Sequence, residues 1–378
     1  MPLAGIEPAL LAEPDFERDE TSVTSLGPSL TFAATRQVNA SSLWHFRRGR
    51  ASEALDDGLT GMHGQDWREL RSREDSTVAI VSGRTPLVSV IVPSYNRPAQ
   101  LAECLEYLCL SNHCAFEVIV VDDGSKHPLG HVADLFAQRI DLRILRQKNT
   151  GPASARNAGA IAARGEILAF TDDDCRPAPD WLDKLTEPLK KAPDVLAGGL
   201  CLNGVQGSAF SEASQDIVSF LYANAREGGN QFEFFTSNNL ACNKHQFLAI
   251  GGFDTTFPLA AGEDREFGIR WRRTGGTLLC VEDAVVVHFH YLDLRRFWLQ
   301  QSNYGRGAHH MRKRFAERGE PVIPFGGLSF YFKLAAFPFR SGGRHRMTRA
   351  ALVILSQFAM VVGVLREGML SRSREITP

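Results

Sequence analysis

Three consecutive carboxylates, Asp172, Asp173 and Asp174, directly follow the apolar segment EILAFT. Adjacent carboxylates repel one another unless a positive charge lies close by, and their oxygens suit Mg²⁺ or Mn²⁺. A second acidic pair, Asp122 and Asp123, ends another apolar segment, FEVIVV. An acidic loop alone is often a solvated turn, but two such loops after neighbouring strands would meet at one edge of a sheet. The pattern therefore predicts a site there for a cation and a diphosphate.

The segments that carry these acids have the length and composition of buried strands. LVSVIVP, FEVIVV, LRILR and EILAF are rich in β-branched residues, and segments with helical spacing, such as AQLAECLEYLCL and PASARNAGAIAARG, lie between them. Strands that alternate with helices predict an α/β fold with a mostly parallel sheet flanked by helices. Further along, VLAGGLCL and TLLCVEDAVVVHFHY predict strands, whereas WLDKLTEPLKK and AGEDREFGIRWRRTGG predict helices.

Charge is distributed unevenly along the 378 residues. The 42 Lys and Arg nearly balance the 43 Asp and Glu, which argues against a nucleic-acid-binding protein. From 295 to 349, however, 12 cations face two acids, Glu317 and Glu320, whereas 87–294 has an acidic excess of about 8. The acidic part is suited to a bound cation. The basic part predicts either contact with an anionic surface or a solvated helix over a buried apolar one.

The cysteines and the N-terminus indicate the compartment. The seven cysteines are odd in number and form no CxxC pair, so a zinc ribbon or a secreted disulfide framework is not expected. The first 20 residues have neither the basic flank nor the apolar run of a signal peptide. We therefore expect a cytoplasmic protein. Its basic, apolar C-terminal tail would make it peripheral at the inner face of the cell membrane.

The C-terminal region has the most apolar segments of the chain. Residues 322–339 are interrupted by Pro, Gly and Lys333, and residues 350–365 form a run of about 16 residues, short of the roughly 20 that span a bilayer. We expect no secure transmembrane helix here. Removal of 321–378 is nonetheless expected to release the protein from membranes.

Taken together, the motifs resemble those of the inverting family 2 glycosyltransferases with the GT-A fold. The similarity covers about 220 residues, and it rests on the order of VSVIVPSYNRP, VIVVDDGS, NTGPASARNAGAIAARGEILAFTDDDCRPAPDWL, NNLACNKHQFLAIGGFD, AGEDREFGIRW and VVVHFH. The resemblance implies a catalytic domain over 86–293, with a nucleotide-binding half (86–200) and an acceptor half (201–293). It leaves a poorly ordered or variable extension over 1–85 and a basic, apolar helical extension over 294–378.

The resemblance also implies the residues of the donor site. The nucleotide-sugar would contact Pro93, Tyr95, Asp123, Asn149, Gly151, Arg156, Asp172, Asp173 and Arg306. Pro93 and Tyr95 would lie against the base, and Asp123 would accept a hydrogen bond from it, which suits either uracil or guanine. Arg156 would lie near ribose or phosphate, and Arg306, in QQSNYGRG, would reach the leaving diphosphate.

The metal ligands and the catalytic base come from the same comparison. Asp172 and Asp174 would be the outer residues of a DxD-like motif that holds Mn²⁺ or Mg²⁺, and His288 would be a further ligand, with His290 as its rival. Asp264 would remove the proton of the acceptor hydroxyl, and Glu263 would orient it. At a helix start, such acids can also simply stabilise the helix.

The implied activity is transfer of a single sugar, most simply from a UDP-hexose, to a carbohydrate or lipid-linked acceptor in cell-surface polysaccharide or glycolipid synthesis. The QxxRW motif of processive members is absent, which favours one addition. A dehydrogenase would need GxGxxG after the first strand, where this chain has PSYNRP, and a nucleotidyltransferase would need a glycine- and lysine-rich loop. The alternative is an inactive sugar-nucleotide-binding or scaffold protein of the same fold.

Overall fold

The computed structural model describes residues 88–229, 232–257, 261–322 and 326–376, with no description of side chains in 372–376. The extension expected over residues 1–85 lies outside these ranges. The boundaries proposed at 85 and 293 therefore stay predictions.

Eight strands and ten helices make up the described chain. The strands are β1 (Val88–Ser94), β2 (Phe116–Asp122), β3 (Leu142–Arg146), β4 (Ile167–Phe170), β5 (Cys175–Pro177), β6 (Val195–Asn203), β7 (Leu240–Asn243) and β8 (Thr277–His288). The helices are α1 (Pro98–Leu108), α2 (Gly130–Asp134), α3 (Pro152–Ala162), α4 (Trp181–Lys191), α5 (Ala209–Glu227), α6 (Lys244–Ile250), α7 (Glu263–Arg273), α8 (Leu294–Glu317), α9 (Leu328–Arg340) and α10 (Arg346–Ile376).

All eight strands form one mixed sheet in the order β3-β2-β1-β4-β7-β6-β8-β5. The pairings β1–β2, β2–β3, β1–β4 and β6–β8 are parallel, whereas β7 and β5 are antiparallel to their neighbours. Six strands therefore run in one direction, which confirms the predicted mostly parallel α/β sheet. The carboxyl ends of β1, β2, β4 and β8 consequently lie along the same edge.

The core forms where apolar strands meet apolar helix faces. Every residue of β1 is buried, as are six of the seven in β2. Helices α1 and α3 cover these strands through residues such as Leu101, Leu105 and Ala155, each fully buried. Gly159 of α3 allows the close approach, because a Cβ there would lie 2.6 Å from Ile91. The rigid sheet holds the acidic strand ends in place.

The C-terminal extension is helical, as expected, but its last helix is longer than predicted. Helix α10 has 31 residues, because helical hydrogen bonding continues on both sides of the apolar run at 350–365. Among the described helices, this one is long and apolar enough to cross a membrane by length and composition, over Arg346–Ser371, although 39% of its most apolar window is buried inside the protein. The predicted run of about 16 residues therefore underestimated the length of this helix, whereas the expectation of no secure transmembrane helix stays a prediction. Helices α5, α8, α9 and α10 share a second apolar cluster around Phe220 and Phe297.

Candidate functional site

Asp172, Asp173 and Asp174 lie between β4 and the short strand β5, at the edge of the sheet. Strand β5 pairs antiparallel with the end of β8, with Cys175 opposite His288. The backbone N–H of Phe289 also donates to the carbonyl of Asp174 over 2.9 Å. This pairing brings the third carboxylate of the motif against a histidine that lies more than a hundred residues later in the chain.

Asp174, His288 and His290 form the cluster among the described residues that could hold a metal ion. Their ligand atoms all lie within 4.8 Å of one another, and His288 Nε2 is 3.1 Å from Asp174 Oδ1. The histidines treated as rivals in the sequence thus contribute together. The expected set contained Asp172 instead of His290, and the carboxylate of Asp172 is paired with Arg156 over 2.6 Å. A metal-ligand role for Asp172 stays a prediction.

The pKa shifts of Asp174 and His290 favour the forms that bind a cation. Burial alone would raise the pKa of Asp174, but the neighbouring charge and hydrogen bond of His288 lower it overall. Burial, followed by repulsion from His288, lowers the pKa of His290 to about 4. Burial opposes the charge on His288 too, yet Asp174 raises its pKa overall, so His288 must lose a proton before it can bind a cation. A carboxylate and a neutral imidazole are therefore ready as ligands near neutral pH.

Arg97 forms hydrogen bonds with both Asp173 and Asp174. It belongs to the motif YNRP, and the sequence motifs assigned it no role. Its Nη1 donates to Asp173 and Asp174 over 3.2 Å each. Ser94 Oγ donates to the other oxygen of Asp173 over 2.7 Å. Burial nevertheless raises the pKa of Asp173 to about 7, against the lowering effect of Arg97. Half of the Arg97 side chain is exposed, so the guanidinium lies between the acidic edge and solvent.

The residues expected to bind the nucleotide surround the ends of β1 and β2. Asp123 is buried and accepts the backbone N–H groups of Thr150 and Gly151 over 3.0 and 2.8 Å. Gln147 Nε2 donates to it over 2.7 Å. Since a carboxylate has about four acceptor positions, one remains for a ligand. The contact with a base stays a prediction.

Neighbouring residues shape this end of the sheet. Tyr95 follows β1 and is 43% exposed, whereas Pro93 lies buried within the strand. Gly124 has a φ of +82°, and a Cβ there would lie 2.6 Å from the backbone nitrogen of Asn149. The turn after β2 and the loop before α3 can therefore approach closely only with glycine at this position.

Glu263 and Asp264 open α7, and Arg156 connects them to the first acidic motif. Gly262 precedes the helix with a φ of +91°. Arg156 is buried at the site, with Nη1 3.3 Å from Glu263 Oε1 and Nη2 2.6 Å from Asp172 Oδ1. The guanidinium expected near ribose or phosphate thus pairs with two carboxylates. Its Nε has no hydrogen-bond partner among the described residues.

Both carboxyl groups of this pair hold protons more tightly than usual. Burial and then repulsion by Asp264 raise the pKa of Glu263 to about 7, against the lowering effect of Arg156. Burial also raises the pKa of Asp264. A raised pKa makes the deprotonated carboxylate a stronger base, which suits a general base near neutral pH.

Arg306 and Tyr304 lie on α8, close to α7. Arg306 Nε lies 2.8 Å from Glu367 Oε2 of α10, so the residue expected at the leaving diphosphate pairs with the last helix. Tyr304 was not identified as a site residue. It is 38% exposed, and its pKa is raised by burial and by the charges of Asp264 and Glu263. Its phenol therefore lies near the paired carboxylates. The role of Arg306 at a diphosphate stays a prediction.

Part of the chain is similar to known proteins. Residues 89–249 match the family model described as Glycosyl transferase family 2. Chondroitin synthase of Escherichia coli is 30% identical over 235 residues, which are 53% of this chain and 34% of that protein. Pre-mycofactocin glycosyltransferase of Mycobacterium tuberculosis is 27% identical over 245 residues, 64% of this chain and 50% of that protein. The chain thus spans a third to a half of these relatives.

A solved structure has the same fold. The mannosyltransferase PcManGT from Pyrobaculum calidifontis, in complex with GDP-Man and Mn²⁺, superposes with a TM-score of 0.53. It is 18% identical and covers 86% of this chain, which in turn covers 98% of that structure. The superposition extends past the part matched by the family model and confirms the predicted GT-A fold.

Proposed function

We propose that the protein transfers one hexose from a nucleotide diphosphate donor to an acceptor hydroxyl, since residues 89–249 match the family model described as Glycosyl transferase family 2. The proposal rests above all on one observation. The guanidinium of Arg156 pairs with the carboxylates of both Asp172 and Glu263. The predicted donor site therefore lies close to Asp264, the predicted base, which follows Glu263 in the chain. We take a UDP-hexose as the simplest donor and a carbohydrate or lipid-linked hydroxyl as the acceptor.

The chemistry follows from what the chain's own groups can do. Asp264 takes the proton of the acceptor hydroxyl as that oxygen attacks the anomeric carbon from the side opposite the diphosphate, which inverts the configuration. Glu263 orients Asp264 or the acceptor. Asp123 keeps an acceptor position for the base, and Arg97, half exposed beside the acidic edge, is placed to meet phosphate oxygens.

A divalent ion would be held by Asp174, His288 and His290, where it would supply positive charge beside the leaving diphosphate. Mg²⁺ prefers oxygen ligands, so two imidazoles favour an ion such as Mn²⁺. The PcManGT structure, which shares the fold, is a complex with GDP-Man and Mn²⁺, and this supports the proposal.

A donor panel tests the proposed activity. The protein is incubated with UDP- and GDP-hexoses and Mn²⁺, and released nucleotide is detected by mass spectrometry. We expect turnover with one donor, loss of turnover in Asp264→Asn, and unchanged turnover in Asp134→Asn, an exposed acid on α2. Donor binding without turnover in the wild type, over the whole panel and with acceptors present, would instead support the binding-protein alternative.

A binding titration tests the metal assignment separately. We expect Asp174→Ala to abolish the Mn²⁺-dependent part of donor binding, because the variant loses the carboxylate shared with His288. The same titration in His290→Ala distinguishes the cluster in the structure from a set with Asp172. Unchanged Mn²⁺ dependence in Asp174→Ala would show that the ion binds elsewhere.

A further inference from the structure

An apolar face runs along the outside of the last two helices. On α10, Met347, Ile354, Phe358, Val361 and Leu365 recur at intervals of three, four or seven residues, and each is 47% exposed or more. On α9, Leu328, Phe332 and Phe339 are 80%, 74% and 47% exposed. No described residue covers this set, which we call the α9–α10 face. A continuous exposed apolar face of this length marks an interaction surface.

The opposite side of α10 is held by ion pairs to α5 near its start and to α8 near its end. Near its start, buried Arg349 makes two hydrogen bonds to Asp216 of α5, at 2.6 and 2.8 Å. Near its end, buried Glu367 accepts from Arg306 of α8 over 2.8 Å. These anchors are 18 residues apart, about 27 Å along the helix. Crossing a bilayer would break them, so α10 lies lengthwise along the body with its apolar face outward.

Most of the charges around the face are positive. Between residues 326 and 371 the cations are Lys333, Arg340, Arg344, Arg346, Arg349 and Arg366, whereas Glu367 is the single acid. Glu367 and Arg349 are buried in the pairs just described. The other five cations are exposed. Arg340 is paired with Glu227 of α5 over 3.2 Å, so the positive charge of the face comes mainly from Lys333, Arg344, Arg346 and Arg366. A basic rim around an apolar helix face complements anionic headgroups over acyl chains.

A groove between the two helices lies within the same face. Its volume is about 280 Å³, and it is lined by apolar side chains that include Tyr331, Leu334, Val353, Phe358 and Val361. The side chain of Gln357 adds a polar group. Such a groove can bind an acyl chain, so the α9–α10 face can contact lipid below the headgroups.

We propose that the α9–α10 face seats the protein in the interfacial layer of an anionic bilayer, with α10 parallel to the membrane plane. The proposal goes beyond the proposed reaction, because it concerns a surface separate from the acidic edge and does not depend on turnover. It also gives a physical basis to the predicted location at the inner face of the cell membrane.

Vesicle co-sedimentation of the full chain tests the proposal. We expect binding to vesicles of equal parts phosphatidylcholine and phosphatidylglycerol, weaker binding to phosphatidylcholine alone, and release by high salt. The double variant Phe332→Asp, Phe358→Asp should reduce partitioning on the order of tenfold or more, since both rings would leave the lipid. The control Leu135→Asp, Ile161→Asp changes two residues that are 70% and 69% exposed elsewhere and should bind as the wild type does.

Three outcomes would overturn the proposal. The first is no binding of the wild type to anionic vesicles, and the second is equal binding to both vesicle types. The third is a wild-type dimer by light scattering that Phe358→Asp converts to monomer while vesicle binding is absent, which would assign the face to a second copy of the chain. Since the substituted side chains are mostly exposed, thermal unfolding should be unchanged in each variant, and this measurement excludes misfolding as the cause.

Discussion

Arg156 of α3 lies 3.3 Å from Glu263 of α7, a residue 107 positions later in the chain. The same guanidinium is 2.6 Å from Asp172, and its side chain is 4% exposed. Removing a buried charge from its partners costs far more than breaking an exposed pair, because the remaining charges stay desolvated. Arg156 therefore both stabilises the fold and sets the spacing of the two acidic motifs.

We expect Arg156→Gln to lower the free energy of unfolding by about 3 to 5 kcal/mol. Arg139→Gln provides a matched control, because Arg139 and Glu106 form an ion pair in which both side chains are 42% exposed or more. That variant should lose less than about 1 kcal/mol. Urea unfolding measures both. Equal losses in the two variants would contradict a structural role for the buried guanidinium.

The raised pKa values of Asp264 and Glu263 predict an unusual pH profile. A base must be deprotonated, so kcat/KM should fall as the pH falls through the pKa of Asp264, which burial raises from its ordinary value. Glu263, whose pKa is about 7, adds repulsion to its neighbour. We expect Glu263→Gln to move the acidic limb to lower pH, and Asp134→Asn to leave it in place. A limb that stays at the wild-type pH in Glu263→Gln would exclude this electrostatic coupling.

Much of this site could be predicted because its residues lie in contiguous motifs. Apolar, β-branched runs specify β1, β2 and β4 from local sequence, and a parallel sheet then brings Asp123 and Asp174 to one edge. The sequence pattern also placed Glu263 and Asp264 correctly at a helix start. In these cases short-range preference and tertiary structure favour the same conformation.

The remainder depends on contacts between distant residues. Antiparallel insertion of β7 between β4 and β6 follows from pairing that no local pattern encodes. Helix α5 lies in a segment whose sequence carries no interpretable motif, and its Asp216 is stabilised by Arg349, 133 residues away. The pairing of Arg306 with Glu367 is of the same kind. Long-range ion pairs of this type cannot be derived from composition or periodicity.

The buried carboxylate of Glu117 makes the free energy of unfolding depend on pH. This carboxylate is buried in β2 and accepts from Ser89, Arg143 and the backbone N–H of Arg164 at 2.7, 2.7 and 2.6 Å. Burial alone would raise its pKa, but these donors lower it overall. Its contribution is therefore fully present above the ordinary pKa of 4.5 and is lost as the pH falls through the depressed value.

We expect Glu117→Gln to lose roughly 2 to 3 kcal/mol at neutral pH, and the difference from wild type should shrink below the ordinary pKa. Glu103→Gln, which removes an exposed partner of Arg176, should lose less than about 1 kcal/mol at any pH. Denaturant unfolding at several pH values measures the differences. A gap between Glu117→Gln and wild type that persists unchanged in acid would show that the stabilisation is not linked to ionisation.

Gly305 of α8 and Gly363 of α10 allow these two helices to pack closely. A Cβ on Gly305 would lie 2.0 Å from the carbonyl oxygen of Met360, and one on Gly363 would lie 1.9 Å from that of Ser302. These are backbone atoms of the facing helix, so the helices would have to separate if either glycine gained a side chain.

We expect Gly305→Ala to lower the free energy of unfolding by about 1 to 3 kcal/mol despite the better helix propensity of alanine. Gly130→Ala, where a Cβ meets nothing within 4 Å, should be neutral or stabilising by less than about 1 kcal/mol. Urea unfolding distinguishes them, and limited proteolysis should cleave α10 faster in Gly305→Ala. A Gly305→Ala variant as stable as Gly130→Ala would mean that close approach of the two helices does not hold α10 against α8.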